Sequence, residues 1–564
     1  MSMFITTVRE QANDAQRAYW MPKIESWEVI GAYAQTELGH GSNVRGLELE
    51  AKWDPTQKNF ILHSPTLTSS KWWNGTLGRT ANHAIVVAQL LIPKSGAGQN
   101  TVYENHGPHP FIVQVRDMKT HQPLEGIVVG DIGPKYGYAP MDNAIPHSAM
   151  LSRYAQLDPD SGIYYKPKNP NVVYGSLTYV RANIVMHARL VLARAVTVAV
   201  RYLSIRRQFK DRDAAGDSVL ETAVLDYPTV QIRVLPLLAT AFALHYSGQA
   251  MGDLYQRTRK EIEGGDFAAL ADLHSTSSGL KSLCTDLAAN GIETCRRAMG
   301  GHGFGGGSGL VQLNSDYLSK PTVEGDNWMI TQQVARYLIK RAKEVSTNKT
   351  SSSTNSTEDN LRRYLKGDQR LAFDVLNDDT AILHAFQRRA AYLTFKVYEA
   401  REVRKESYNS LLIDFHKLSR AHSQMILVTN FHNALQSNHN MSHFLKETLK
   451  DLYRLFSLST IENESREFYN AGAVSNEQLD GLSQKILELM KRIRPHAVPL
   501  VDAWALPDYL LDSALGRYDG RVYEDLFNRA HRLNPLNRVT FNPDYRTDEI
   551  VMGSGDGGQI LSKL

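Results

Sequence analysis

The feature that most limits how this 564-residue chain can fold is a change of apolar period partway along it. Between Trp27 and Ala149 apolar residues alternate or come in short runs: Glu28-Val-Ile-Gly-Ala-Tyr-Ala, Asn59-Phe-Ile-Leu-His, Ala84-Ile-Val-Val-Ala-Gln-Leu-Leu-Ile and Phe111-Ile-Val-Gln-Val. Turn residues such as Asp54-Pro55 and Pro93-Lys-Ser-Gly96 separate them, which predicts a small antiparallel β domain over 27–170. From about Tyr174 the period lengthens. Val180–Tyr202, Pro228–Arg257, Leu270–Met299 and Trp328–Lys343 carry long helical apolar faces, predicting a bundle of four or five helices over 171–345. Residues 346–360 are polar and of low complexity and read as a linker. A second helical domain is expected over 361–545, then a glycine-rich, flexible tail over 546–564. At the front, residues 4–20 read as the tail of a helix ahead of Pro22. The fold class is therefore α+β, with sheet first and helices after.

Composition removes several classes of function. Hydrophobic residues are 42% and charged residues 22% of the chain, an ordinary globular balance. A net charge of +4 is too small for a dedicated nucleic-acid binder, though it suits an anionic substrate. The only cysteines, Cys284 and Cys295, lie eleven apart in a helical pattern, about three turns, which forbids a disulfide within a straight helix. They read as two reduced core thiols. No Cys-x-x-Cys or His-Glu-x-x-His supports a metal site. No secretory signal stands near Met1, and no apolar run reads as long enough to span a bilayer.

Five strings could carry chemistry. Tyr33-Ala-Gln-Thr36-Glu-Leu-Gly-His-Gly-Ser-Asn43 offers a hydroxyl, backbone N–H groups and glycines for close approach; alone it reads as a tight turn after a strand. Lys71-Trp-Trp-Asn74-Gly75-Thr-Leu-Gly-Arg-Thr80 has paired tryptophans before a glycine at which backbone could meet an aromatic ring. Its plainer reading is a core tryptophan pair under a hairpin. Tyr202-Leu-Ser-Ile-Arg206-Arg207-Gln-Phe209 could present arginines to a phosphate, or be a solvated basic helix end. Arg297-Ala-Met-Gly300-Gly301-His-Gly-Phe304 reads as a helix C-cap and has neither the sequence of a phosphate loop nor a preceding strand. Finally, Lys320-Pro-Thr-Val-Glu324-Gly-Asp326-Asn327 could be a loop whose Asp326 or Asn327 caps the next helix, or could place a carboxylate in a cleft.

Taken in this order, these strings resemble the acyl-CoA oxidases, flavin enzymes that desaturate fatty acyl thioesters. The resemblance runs from about residue 4 to 343, and more loosely to the end. It implies the acyl-CoA dehydrogenase-like fold, noncovalent FAD and a homodimer with FAD sites shared between subunits. It implies flavin contacts at Thr36 and Gly75, although Asn74 stands where the family has proline. It further implies that Arg206, more weakly Gln231, and Arg297, Gly300 and Gly301 face the FAD of the neighbouring subunit. Glu324 takes the place of the family's catalytic base. The implied reaction converts acyl-CoA to trans-2-enoyl-CoA, with O2 reduced to hydrogen peroxide. The terminal Ser562-Lys563-Leu564 matches a peroxisomal address read by an import receptor. Residues 1–26 read as a remnant of the family's N-terminal helical domain, so apolar surface on the β domain and bundle is expected to be exposed. Two other readings are a dehydrogenase that uses a different electron acceptor and an inactive dimerisation partner.

Overall fold

The structure, a computed structural model, describes residues 2–94, 102–132, 137–139, 141–167, 175–211, 213, 220–347, 356–367, 374–438 and 440–535. The terminal tripeptide lies outside them. Two helices open the chain, α1 (Ser2–Gln11) and α2 (Asp14–Glu25), where the sequence reading had one. The break has a local cause. Asn13 caps α2 by accepting from the Gln16 N–H, and the Gln16 side chain accepts from the Asn13 N–H in return. Pro22 sits inside α2 rather than after it. α1 is bound to the sheet through Phe4, whose ring lies so close to Gly31 that any side chain there would collide with it. Phe4, Val8 and Ala12 are fully buried against Ile85 and Ile112, and Glu10 pairs with Arg259 of the bundle.

The β domain contains β1 (Gly31–Ala34), β2 (Glu50–Asp54), β3 (Asn59–His63), β4 (Lys71–Asn74), β5 (His83–Pro93), β6 (Tyr103–Gln114), β7 (Gly130–Asp131), β8 (Gly137–Ala139) and β9 (Asp142–Pro146). The expected antiparallel pairing holds for β2–β3, β3–β9 and β5–β6. It fails for β1 and β2, which both run parallel to β5, so the main sheet is mixed. The reason is topological. β1 pairs with His83–Val86 and β2 with Gln89–Leu91 of β5, so the chain leaves β5 after Ala34 and returns to it at Glu50. Alternation within a strand reports which face is buried and carries no information on strand direction.

Between those two pairings, Val87 of β5 has no partner strand on that side, and a side chain takes its place. The Lys71 ammonium donates to the Val87 carbonyl (2.7 Å), the Gln35 carbonyl (3.2 Å) and the Glu37 carboxylate (2.9 Å). Glu37 also accepts from the Glu48 N–H (2.8 Å) and the Leu49 N–H (3.0 Å). Both charged side chains are fully inaccessible to solvent. Burial lowers the Lys71 pKa to about 8, against the opposing pull of Glu37.

The helical part follows the predicted faces closely: α3 (Gly175–Ile205), α4 (Pro228–Glu263), α5 (Leu270–Ala298), the short α6 (Gly301–Phe304) and α7 (Leu310–Tyr317), then α8 (Asn327–Ser346). Cys284 and Cys295 are buried and unpaired on α5, as expected. One expectation needs correction. The Thr178–Ile205 stretch of α3 is long and apolar enough to cross a membrane by length and composition, but 61% of its most apolar window is buried inside the protein, against α4 and α5. It is a core helix. α9 (Ser356–Lys366) begins inside the stretch read as linker and buries Thr357, Glu358, Asn360 and Leu361. Its amphipathic face is short and lies behind a polar run, which hid it. α10 (Asp379–Tyr398), α11 (Leu412–Ser437) and α12 (His443–Asn463) lead the remaining helices. One buried apolar cluster extends from Ala182 to Val522, so the bundle and the later helices share a core.

Lys71→Met should leave the Glu37 carboxylate buried without its cation and cost about 3–5 kcal/mol in a urea melt. Lys71→Met with Glu37→Gln should recover most of that loss. A single variant as stable as the parent would show that the pair does not hold the sheet.

Candidate active site

A cleft of about 1410 Å3 opens between the β domain and the bundle. Three of the sequence-chosen residues meet in its walls: Thr36 and Gly75 from the sheet side and Glu324 from the loop before α8. The two sheet-side strings are cross-linked where they face the cleft. The Trp72 N–H donates to the Thr36 carbonyl (3.0 Å), the Leu38 N–H to the Ser70 carbonyl (2.8 Å), and Glu37 bridges Lys71. Thr36 thus sits one residue from the buried ion pair, and Gly75 four residues beyond its lysine. A Cβ built on Gly75 meets no atom within 4 Å, so the glycine keeps open space in the cleft wall. The tryptophans beside it are not a core pair: Trp72 is half-buried, and Trp73 is exposed and holds a left-handed φ of 68°.

The Glu324 loop is strained and held from behind. Glu324 has φ 58° and Gly325 φ 103°. The left-handed region is unfavourable for a glutamate and persists only where the surroundings impose it. Four ties impose it here. Asp326 caps α8 by accepting from the Trp328 and Met329 N–H groups (2.9 and 3.3 Å), as the sequence allowed. Asn327 is buried and donates to the Ser282 carbonyl and the Thr285 hydroxyl of α5, both at 3.0 Å. The Arg181 guanidinium of α3 donates to the Glu324 carbonyl (3.1 Å). The Lys281 ammonium of α5 donates to the carbonyls of Pro321 (3.1 Å) and Gly325 (2.7 Å) and to Asn327 Oδ1 (3.0 Å).

The charges are uneven. Burial raises the Glu324 pKa, while Arg181, Lys281 and Lys320 pull it down. Burial and the neighbouring Arg181 lower the Lys281 pKa to about 7. Tyr33, whose hydroxyl donates to Gln35 Oε1 (2.7 Å), also lines the cleft, and its pKa is raised by burial and by the Glu324 charge. A half-buried carboxylate in the wall of a cleft has the placement a general base needs.

The other five chosen residues lie elsewhere. Arg206 follows the end of α3 and donates to the Tyr523 hydroxyl (3.2 Å). Gln231 is buried in the first turns of α4. Arg297 is exposed and pairs with Glu293. Gly300 lies in the turn between α5 and α6 and Gly301 opens α6, and an added Cβ at either meets nothing within 4 Å. Tyr202 and His302 bring the α3 end to this turn, their ring centres 6.0 Å apart. None of the five lines the cleft. Arg181 and Lys281 were not chosen from sequence, although each interrupts an apolar helical face: Lys281 stands in Gly279-Leu-Lys-Ser-Leu283 and Arg181 just inside the Val180–Tyr202 stretch.

Family models match along most of the chain: Acyl-coenzyme A oxidase N-terminal over residues 1–30, Acyl-CoA oxidase, C-alpha1 domain over 174–339, and Acyl-CoA oxidase over 378–548. The chain is 38% identical to rat (Rattus norvegicus) peroxisomal acyl-coenzyme A oxidase 1 over 563 residues, covering 96% of this chain and 83% of the relative. It belongs to the acyl-CoA oxidase family. Human peroxisomal acyl-coenzyme A oxidase 1 is 37% identical over 566 residues, covering 97% of this chain and 83% of the relative. Among solved structures, acyl-CoA oxidase-2 of Caenorhabditis elegans, bound with FAD, ascaroside-CoA and ATP, is similar with a TM-score of 0.90 at 33% identity, covering 100% of this chain and 82% of that one. The tomato (Lycopersicon esculentum) acyl-CoA oxidase follows with a TM-score of 0.89 at 35% identity, covering 98% of this chain and 84% of that one. The acyl-CoA oxidase fold expected from the sequence is therefore the fold observed.

The space at Gly75 gives a direct check on the cleft. Gly75→Ile places a side chain into open volume and should leave the melting temperature of flavin-free protein unchanged, while FAD uptake, followed by flavin fluorescence quenching, falls at least about tenfold. Undiminished uptake would remove Gly75 from the cofactor wall.

Proposed function

We propose that this chain is an FAD-dependent acyl-CoA oxidase in which Glu324 removes the α-proton of the acyl thioester. The observation that carries the proposal is the meeting of Thr36, Gly75 and Glu324 in one cleft from three distant parts of the sequence. The cleft fits a flavin: Gly75 leaves a wall free of side chain, and Thr36 offers a hydroxyl beside it. Bound FAD would accept the β-hydride and hand both electrons to O2, giving trans-2-enoyl-CoA and hydrogen peroxide. The chain's own residues do the rest. The Glu324 carboxylate takes the α-proton, and the Glu324 backbone N–H is the proposed donor to the thioester oxygen as it gains charge. Arg181 holds the Glu324 carbonyl and fixes the direction of that turn. Arg45, Arg336 and Lys340 are exposed in the cleft wall and suit the phosphates of coenzyme A.

Arg206, Gln231, Arg297, Gly300 and Gly301 gather away from this cleft, as residues serving the FAD of a second copy should. We read them so, and the protein as a homodimer. The exposed Phe209 and Phe304 beside them add apolar surface for that contact. The rat and human relatives are named as peroxisomal, and the terminal Ser562-Lys563-Leu564 supports the same destination here. A tagged chain lacking that tripeptide, expressed without a partner subunit, should stay cytosolic under the microscope; peroxisomal retention would refute the tail's role.

Glu324→Gln keeps shape and polarity but removes the base. Flavin reduction by acyl-CoA should fall roughly 10²–10⁴-fold with FAD still bound. The parent enzyme adds a pH signature. The Glu324 pKa lies above the ordinary 4.5, so the base is ionised only above that raised value, and reduction should fall as pH drops through it. Rapid reduction by Glu324→Gln, or a parent rate indifferent to acid, would exclude this base. Peroxide should form in step with enoyl-CoA; a requirement for an added electron-transfer protein would favour the dehydrogenase reading.

A further inference from the structure

Lys281 is fully buried, and among the described residues no carboxylate lies within ion-pair distance of it. A buried ammonium without a counter-ion is costly, and such groups are ordinarily paired or replaced. What surrounds this one is specific. Its three acceptors are the Pro321 carbonyl, the Gly325 carbonyl and Asn327 Oδ1, which lie on both sides of Glu324 in the loop. One cation therefore ties together the two ends of the segment that holds Glu324 in the left-handed region.

We infer that Lys281 is a positioning residue for the base: its ammonium braces the strained Glu324 turn and its charge favours the ionised Glu324 carboxylate. The inference rests on the reading of Glu324 as the base. The charged and titratable groups facing this spot are known element by element. α3 supplies Arg181, α5 supplies Lys281 and His274, the loop supplies Lys320, Glu324 and Asp326, and β1 supplies Tyr33. His274 is held neutral near pH 7, its pKa lowered to about 4 by burial and by Arg181. Asp326 points its oxygen at the α8 N-terminus. Among the cations, Arg181 donates to the Glu324 carbonyl and Lys281 to the neighbouring carbonyls of Pro321 and Gly325. The sign follows. A cation beside Glu324 lowers its pKa, so removing the cation raises it and leaves the base protonated over a wider range of pH.

The test uses FAD-loaded Lys281→Met and Lys281→Gln, with anaerobic flavin reduction by acyl-CoA followed across a pH series. Hydrogen exchange of residues 320–327 is measured in parallel on flavin-free protein. Lys281→Met should lower the limiting reduction rate at least about tenfold, move the acid limb to higher pH, and speed exchange in the loop. Lys281→Gln can still donate to the loop carbonyls but carries no charge. It should recover much of the exchange protection while the acid limb stays displaced. A purely structural lysine would change stability and exchange without moving the acid limb, and that result overturns the electrostatic half. Unchanged exchange in both variants overturns the bracing half. If Lys281→Met does not fold, Lys281→Gln alone decides the acid limb. Glu324→Gln separates this proposal from the one beneath it: rapid reduction by that variant refutes the base, while the exchange result for Lys281 still stands.

Discussion

A buried ion pair in a break of the sheet organises this molecule. β5 is flanked on one side by two strands that meet it end to end, and the chain between them, residues 35–49, would leave the Val87 carbonyl unpaired. Buried backbone groups are rarely left so. Lys71 fills the break and Glu37 neutralises it, each from one of the two strings that face the cleft. The polar requirement of the sheet and the geometry of the site are thus met by the same two residues. Isolated buried pairs contribute little to net stability compared with an apolar substitute, but they specify register. Register is what two loops presenting Thr36 and Gly75 to one volume need.

The second wall of the cleft follows the opposite design. There the backbone is strained at Glu324, and the strain is held by hydrogen bonds from cations instead of by strand pairing. α3 and α5 share one core and α8 packs against α5, so Arg181, Lys281 and Asn327 are carried on helices held side by side by apolar contact far larger than the loop itself. The bundle supplies rigidity and the loop stores the unusual conformation. That division explains how the Glu324 turn can sit on a nine-residue irregular segment, residues 318–326, and still be precise.

Much of this was legible in the sequence, for reasons that can be named. The long helices were visible because each carries a sustained apolar face, and α3, α4, α5 and α8 begin and end close to the predicted stretches. Glu324, Thr36 and Gly75 could be chosen because their strings match a family pattern. Strand direction was not legible, since β1 and β2 look alike whether they run parallel or antiparallel to β5. α9 was hidden behind a serine- and threonine-rich run. Lys71, Arg181 and Lys281 were missed because a charged residue in an apolar stretch reads as a surface position until its partners are known. Those partners lie 16 to 143 residues away in the chain.

The charge arrangement around Glu324 also constrains how proton transfer can occur here. In the proposed reaction the negative charge is on the carboxylate before transfer; afterwards the carboxyl is neutral and the charge is on the thioester oxygen. The net charge of the cleft does not change, only its position. Arg181, and Lys281 at pH values below its own pKa of about 7, therefore do not have to be added or lost during the reaction and can serve both ends of the transfer. Among the described residues their hydrogen bonds go to backbone carbonyls, Asn327 Oδ1 and the Ser278 hydroxyl, and not to the carboxylate itself. A direct ion pair would hold the carboxylate in place and lower its basicity. Cations that bind the backbone instead leave both carboxylate oxygens free to meet the proton, while their field still favours the ionised state.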